Sequence, residues 1–398
     1  MGEPQGEWVD VGAAEDFKRA PLREARLGER LVAVSYRDGK FGVISNLCNH
    51  VGGPLGKGRL DGEFVVCPWH HYKFHRCTGE GEPGYEADRV PGYGVKEEAG
   101  RLLVTANPTS KRGHLPHEPH PLTRTTGRAP GGLRVGGIST TAMDAANPRF
   151  STSEHLLGVA LDHAATALGA ETKVIRLNDL KFRNCEGYYS KAAKACTWPC
   201  SITSMDQSDQ LDQVYEMAVH WADILVVATP IRWGAASSLY YKMVERMNCI
   251  QNQITINNKV LIRNKVAAFI ITGGQDGIQA VAGQMMGFFS EIGYLLPQFP
   301  YIAHSLGWEF EEMERNVDFV ASSEALRAGA RELVKRSADM AHALLEREIA
   351  CASIERGGRK ASACRPLSRA RRTTAAGPRR SARAVRPASG YRRPIARA

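Results

Sequence analysis

The chain has 398 residues with 43% hydrophobic content, a composition with enough apolar material for sizeable cores that does not fit a fibrous or wholly disordered protein. Its net charge of +10 is misleading: residues 350–398 hold thirteen Arg, one Lys and one Glu, a net +13, which leaves 10 − 13 = −3 for the rest. No apolar run approaches the ~18 residues of a membrane helix, and the acidic start MGEPQGEWVD lacks a signal-peptide core, so the sequence reads as a cytoplasmic protein with no membrane partner. The nine cysteines are odd in number and scattered, which favours thiols or metal ligands over a disulfide framework.

Residues 7–107 read as short strands with turn punctuation. RLVAVSYRDGKFGVIS, with Asp38-Gly39 at its centre, predicts a hairpin, and GEFVVCPW and GRLLVTAN predict further strands. Residues 108–132 are polar and rich in Pro and Gly, a linker whose ~25 residues reach on the order of 25–30 Å. From residue 133 to 349 strand and helix alternate. Strands are predicted at 133–140, 172–177, 223–230, 265–273 and 294–302, with helices between them and a last helix, SSEALRAGARELVKRSADMAHALLERE. Five such β–α steps imply a parallel, doubly wound sheet covered on both faces. Residues 350–398 cannot bury a core and are expected to be disordered. Such a basic tail attracts anions electrostatically, but it carries one tyrosine and no aromatic interleaving, so nucleic-acid contact through it is not expected.

Two groups of residues carry chemistry. The first is CNH at 48–50 and CPWH at 67–70, with sixteen residues between His50 and Cys67. Two turning loops face to face would offer two sulfurs and two nitrogens, a set that zinc also accepts. A zinc finger, however, places its histidines together on a helix, whereas here Cys and His alternate. The second group is hydroxyl-rich. Ser151, Thr152 and Ser153 precede a helix, where hydroxyls and unpaired N–H groups suit an anion as well as a simple cap. ATPIRWGAASS follows the third strand and TGGQDG the fourth. No G-x-G-x-x-G follows the first strand, which argues against a dinucleotide site.

The spacing C-x-H, then C-x-x-H, together with NHVGGPLGKG and the TGE turn at 78–80, resembles the Rieske iron–sulfur family over residues 7–107. The resemblance implies a [2Fe–2S] cluster with Cys48 and Cys67 on one iron, His50 and His70 on the other, and both histidines near the surface. Neither loop has the extra cysteine of respiratory Rieske domains, so the ferredoxin or oxygenase type is implied. The histidines after residue 110 do not form the two-His, one-carboxylate site of an oxygenase. His71 stands where this family usually has Gly. Cys77 and His75 are expected to be bystanders.

Residues 133 to about 310 resemble the NADPH-dependent FMN reductase branch of the flavodoxin-like fold. That resemblance places Ser139, Arg149, Ser151 and Ser153 near the FMN phosphate. It lines the ring with Thr229, Pro230, Ile231, Arg232, Trp233 and Gly234, and sets Thr272, Gly273 and Gly274 beside it. It also implies a homo-oligomer and NAD(P)H as electron donor. The expected whole is a small all-β Rieske domain, a flavodoxin-like α/β domain and a disordered basic tail, forming an oxidoreductase that passes electrons between NAD(P)H, FMN and the cluster to an unidentified redox partner or small-molecule acceptor. A non-enzymatic electron carrier and a redox-sensing module are the alternatives. No single catalytic residue is singled out. Cys185, Cys196 and Cys200 lie in the loop after the second strand of the α/β domain, and are expected to be structural or redox-sensitive thiols.

Overall fold

The computed structural model describes residues 7–115, 119–144, 146–206, 208–273, 277–306 and 309–347. Gly274 and the segment 350–398 lie outside the described residues.

The N-terminal part is built from short antiparallel strands. β1 (Trp8–Ala13) is followed by a short helix, α1 (Ala14–Arg19), and by β2 (Leu22–Leu27), β3 (Arg30–Arg37) and β4 (Lys40–Ser45). β5 (Arg59–Asp61), β6 (Phe64–Val66) and β7 (Lys73–His75) form a small meander. β8 (Gly92–Tyr93), β9 (Val95–Glu98) and β10 (Arg101–Thr105) complete it. Asp38 and Gly39 both adopt positive φ, +50° and +76°, and Arg37 pairs with Lys40. This is the two-residue turn whose twist matches that of the strands it joins. β3 is buried on both faces. Val32 and Val34 enter a core with Phe17, Leu102 and Val104. Ala33 enters a second core with Ile44, Leu55, Val65, Phe74, Cys48 and Cys67, so the two cysteines sit in the floor beneath their own loops.

Part of the Pro/Gly-rich segment folds back onto this domain. Thr109 N–H donates to Gly92 O at 2.8 Å, and Gly113 and Arg89 exchange backbone hydrogen bonds. Arg112 donates to Leu47 O and Ser45 Oγ, both at 3.1 Å, and to Asn49 Oδ1. It straps the first cysteine loop in place.

The second part is a five-stranded parallel sheet. Its strands are β11 (Arg134–Ser139), β12 (Glu171–Arg176), β13 (Ile224–Pro230), β14 (Val266–Gly273) and β15 (Tyr301–Ser305), in the order β12-β11-β13-β14-β15. This is the flavodoxin-type order, whose switch point between β11 and β13 is where ligands bind. β13 and β14 are buried along their whole length, as a sheet covered on both sides requires. One face is covered by α2 (Thr152–Leu168) and, after the rest of the chain, α10 (Glu324–Arg347). The excursion after β12 contains α3 (Tyr188–Lys191), α4 (Ser201–Met205) and α5 (Asp212–Tyr215). With α6 (Ser238–Arg246), α7 (Asn248–Asn257) and α8 (Ile278–Glu291) it covers the other face. α9 (Phe310–Ser322) precedes α10.

Several elements differ from the sequence expectation, among them the short helices α1, α3 and α4, which it did not contain. The fifth strand begins at Tyr301 rather than near 294, because Pro297 and Pro300 interrupt pairing; Leu295 makes only an isolated bridge to Val266. The helix expected over 237–250 breaks at Met247 into α6 and α7. α9 was not foreseen, because its polar sequence gives a weak periodic signal.

The excursion after β12 is anchored by one buried ion pair. Arg246 and Asp209 have fully buried side chains. All five guanidinium N–H groups find acceptors: Asp209 Oδ1 and Oδ2 at 2.8 and 2.9 Å, Arg183 O and Thr203 Oγ1 at 2.8 Å each, and Cys200 Sγ at 3.1 Å. Breaking such a pair leaves a buried charge uncompensated, at about 3–5 kcal/mol. Arg246→Met is therefore expected to lower the urea midpoint of the α/β domain by a corresponding amount; a transition superimposable on that of the unaltered protein would contradict this.

Candidate functional site

The first site is made by two loops of matching construction. In the first, Cys48 N–H donates to Gly53 O at 3.0 Å and Cys48 O accepts from Gly52 N–H at 3.1 Å. In the second, Cys67 N–H donates to Tyr72 O at 2.8 Å and Cys67 O accepts from His71 N–H at 3.1 Å. Gly52 and His71 thus occupy equivalent places, and both have positive φ, +80° and +58°. The family's usual Gly at position 71 has a conformational reason: the turn needs a left-handed residue there, which glycine adopts without strain.

The four ligand-type side chains come as two pairs. The Cys48 and Cys67 sulfurs hydrogen-bond each other, which raises the Cys48 thiol and lowers that of Cys67. The His50 and His70 rings meet edge-on with centroids 4.5 Å apart. No three ligand-type residues gather round one point among the described residues; the pairing suits two metal centres, one per pair. Backbone N–H groups of His50, Trp69 and His70 point at the sulfurs. Gly53 permits the approach, since a Cβ there would lie 2.6 Å from Cys67 Sγ.

The histidines are not equivalent. His50 is exposed and stacks on Tyr72, centroids 4.8 Å apart. His70 is 3% exposed, contrary to the expectation that both lie at the surface. Its Nε2 lies 2.7 Å from Ala195 O and 3.0 Å from Ser201 Oγ, across in the α/β domain. Tyr188 stacks on the same ring at 5.9 Å, and Lys191 Nζ donates to Pro68 O at 3.1 Å. Burial lowers the His70 pKa to about 4, so the ring is neutral at pH 7. With Nε2 donating its proton to the Ala195 carbonyl, the lone pair is on Nδ1. Nδ1 is buried and has no hydrogen-bond partner, as an atom reserved for a metal would be.

Cys77 and His75 lie apart from this group. Cys77 Sγ is 4.0 Å from Phe41 O, and His75 Nδ1 accepts from the Cys77 and Thr78 N–H groups at 3.4 and 3.3 Å.

The second site lies at the carboxyl ends of β11, β13 and β14. Three hydroxyls form a triangle: Thr141 to Ser151 at 2.8 Å, Thr141 to Ser153 at 3.2 Å, and Ser151 to Ser153 at 3.3 Å. Ser151 caps α2 by accepting from Glu154 N–H at 3.3 Å, so hydroxyls and the positive end of a helix dipole coincide. Thr152 Oγ1 bonds Thr272 Oγ1 at 2.7 Å, tying this helix end to β14. Of the other residues read from sequence, Ser139 is turned elsewhere, its hydroxyl donating to Glu154 Oε2 at 2.9 Å. Arg149 is exposed and donates to Ala142 O at 3.2 Å. A cavity of about 600 Å³ opens beside the triangle, lined by Thr141, Met143, Arg149, Phe150, Ser151 and Glu154 among others.

The loop after β13 is held against β14. Ile231 N–H donates to Thr272 O at 2.7 Å, and a Cβ on Gly273 would meet Ile231 Cβ at 2.7 Å. Ser237 N–H donates to Thr229 Oγ1 at 3.1 Å. Arg232 and Ala235 exchange backbone hydrogen bonds at 2.7 and 3.0 Å around Trp233 and Gly234, whose φ values are +56° and +72°. A tryptophan held left-handed is strained, and Trp233 stands 91% exposed at the mouth of the loop. Thr229, Pro230, Ile231, Arg232, Trp233, Gly234, Thr272 and Gly273 therefore form one continuous rim.

Sequence reasoning missed Thr140, Thr141 and Ser237. Ser237 Oγ donates to Thr140 O at 2.6 Å and bonds Thr140 Oγ1 at 2.9 Å, bridging the first and third loops. The string STT after β11 was the available signal.

The fold and the two sites define a redox protein of the flavin and iron–sulfur kind. Residues 7–94 match the Rieske [2Fe-2S] domain and residues 141–308 match NADPH-dependent FMN reductase; the chain joins a Rieske domain to an FMN reductase domain. The Rieske domain implies a [2Fe–2S] cluster, and the FMN reductase domain implies FMN and NAD(P)H. Among curated proteins, the human Rieske domain-containing protein is 39% identical over 77 residues, 18% of this chain and 49% of that protein. The 8-demethyl-8-aminoriboflavin-5'-phosphate synthase of Streptomyces davaonensis (strain DSM 101723 / JCM 4913 / KCC S-0913 / 768) is 28% identical over 136 residues, 32% of this chain and 48% of that protein. The chain spans about half the length of these relatives. The crystal structure of RosB with a bound 8-demethyl-8-formylriboflavin-5'-phosphate intermediate aligns over 63% of this chain and 100% of its own, with 20% identity and a TM-score of 0.42. Among the described residues no helix is long and apolar enough to cross a membrane.

Gly53 and His71 give a paired test. Gly53→Ala would drive a Cβ against Cys67 Sγ and is expected to abolish cluster assembly, read as loss of iron and of the Rieske-type EPR signal. His71→Gly relieves a left-handed residue and is expected to retain both. Full iron content in Gly53→Ala would contradict the geometry.

Proposed function

We propose that the chain is an NAD(P)H-dependent oxidoreductase in which electrons pass within the molecule between an FMN and a Rieske cluster, and on to an external acceptor. When bound, the flavin supplies the exchange between two-electron and one-electron chemistry, and the cluster carries one electron at a time. The observation that carries the reading is the contact of His70 with the α/β domain, 2.7 Å from Ala195 O.

Cys48, His50, Cys67 and His70 are assigned as cluster ligands. The Ala195 carbonyl holds the His70 proton on Nε2 and orients the ring, while Tyr188 and Lys191 exclude water from the contact. The hydroxyls of Thr141, Ser151 and Ser153, with the α2 N-terminus, are assigned to the FMN phosphate. The 229–234 and 272–273 loops are assigned to the ring, their backbone fixed by Pro230, Gly234 and the pairing of Ile231 with Thr272. The relative from Streptomyces davaonensis bears the name of a riboflavin-5'-phosphate derivative, which supports a flavin phosphate as ligand. The exposed His50 leaves the opposite side of the cluster open to a redox partner.

The test is anaerobic mixing with NADPH, followed by flavin absorption and the EPR signal of the reduced cluster. The flavin is expected to bleach and the cluster signal to appear afterwards. Lys191→Met combined with Tyr188→Ala removes contacts worth of order 1 kcal/mol or more, without touching a ligand. It is expected to leave flavin bleaching unchanged and slow the cluster signal several-fold. If the flavin does not bleach, the enzyme reading fails; if the double variant reduces its cluster at the unaltered rate, the contact is not the route.

A further inference from the structure

The excursion that receives His70 carries three cysteines, and α7 brings a fourth, Cys249, against them. Two of the four form a pair. Cys200, 6% exposed, and Cys249, fully buried, hydrogen-bond through their sulfurs. Arg246 Nε donates to Cys200 Sγ at 3.1 Å, and the guanidinium is itself fixed by Asp209, Thr203 and Arg183 O. Cys196 differs: its sulfur meets neutral amides, that of Asn248 at 3.6 Å and that of Asn252. Cys185 receives the Gly187 N–H at 3.4 Å. A thiol that faces a fixed cation and has a second thiol in hydrogen-bond reach has two of the features of a peroxide-reactive cysteine and its resolving partner; the third, access, rests on the 6% exposure of Cys200. The Cys249 hydrogen bond and the Arg246 charge outweigh burial and favour the Cys200 thiolate, lowering its pKa.

We propose that Cys200 and Cys249 are a peroxide-reactive dithiol built into the surface on which the Rieske domain rests. The Cys200 thiolate attacks the O–O bond of hydrogen peroxide or a small hydroperoxide. A sulfur–oxygen bond forms and the O–O bond breaks, giving a sulfenic acid and hydroxide. The Cys249 thiol then displaces the sulfenic oxygen: a disulfide forms and water leaves with the thiol proton. In sum, one thiolate, one thiol and one peroxide give one disulfide, one hydroxide and one water. The two sulfurs are oxidised and the peroxide oxygens reduced. A dithiol reductant reverses the change. The location gives the reaction a consequence. Ser201, next to Cys200, contacts His70 at 3.0 Å, and a disulfide would take from Arg246 its thiolate acceptor. Oxidation at this pair thereby acts on the contact between the domains. The proposal does not depend on the direction in which electrons flow.

The experiment uses the full-length holoprotein, reduced with dithiothreitol, freed of it, and given one equivalent of hydrogen peroxide. Free thiols are blocked with N-ethylmaleimide during denaturation, and peptides are mapped without reduction. The expected result is loss of two reactive thiols per chain and a peptide joining Cys200 to Cys249 that dithiothreitol removes. In Cys249→Ser the joined peptide is lost, and dimedone labels Cys200. Should that variant not fold, the map of the unaltered protein decides alone. Both cysteines recovered as maleimide adducts after peroxide would overturn the proposal. So would preferential oxidation of Cys185 or Cys196, or more than two irons per chain in the purified protein, which would mark these thiols as metal ligands.

Discussion

The hydrogen bond between His70 Nε2 and the carbonyl of Ala195 is the constraint on which the rest of the molecule depends. A histidine in a surface loop ordinarily leaves both ring nitrogens to water. Here one nitrogen is committed to a backbone oxygen of another domain, and the other is left buried and unpartnered. That fixes the tautomer and the ring plane. It also divides the two histidines, His70 turned inward and His50 exposed, so that an otherwise nearly symmetric pair of loops gains an inner and an outer side.

A carbonyl can serve in this way only if the segment bearing it is held still. Among the described residues, 180–209 contain only short helical turns and no strand, so much of their order comes from side chains. Arg246 supplies it from the end of α6, reaching Arg183, Cys200, Thr203 and Asp209 at once. α6 is capped by Ser237, which bridges to Thr140 in the first loop of the α/β domain. The two ends of one nine-residue helix thus touch the loops assigned to the flavin and the excursion that meets the Rieske domain. No longer-range element is needed to connect the two sites.

What the sequence disclosed followed how local each feature is. The four residues assigned as cluster ligands could be picked out because each pair lies within three or four residues of one loop. The parallel sheet was legible because VVAT and AAFIIT read as buried strands. Asp38-Gly39 was legible because its turn chemistry is contained in two residues. The inner face of the cluster was not legible, because its acceptor is a backbone oxygen of an alanine, a residue without a chemical signature. The same holds for Cys200 with Cys249, 49 positions apart and joined only when α7 packs on the excursion. His71 was noticed as unusual, but the left-handed backbone that explains it needs coordinates. Among the residues read for the flavin side, Ser151 and Ser153 fall together with Thr141; Ser139 bonds a carboxylate, and Arg149 lines the cavity beside the triangle while donating to a carbonyl.

The central claim is that the electron route lies inside one chain, and the concentration dependence of cluster reduction tests it most directly. With NADPH in fixed excess, the rate constant for appearance of the reduced-cluster signal is measured while the protein concentration is varied over about two decades. A route through the His70 contact predicts a first-order rate constant that does not change. A rate constant rising in proportion to protein concentration would mean that separate molecules must collide to exchange electrons, and would contradict the account.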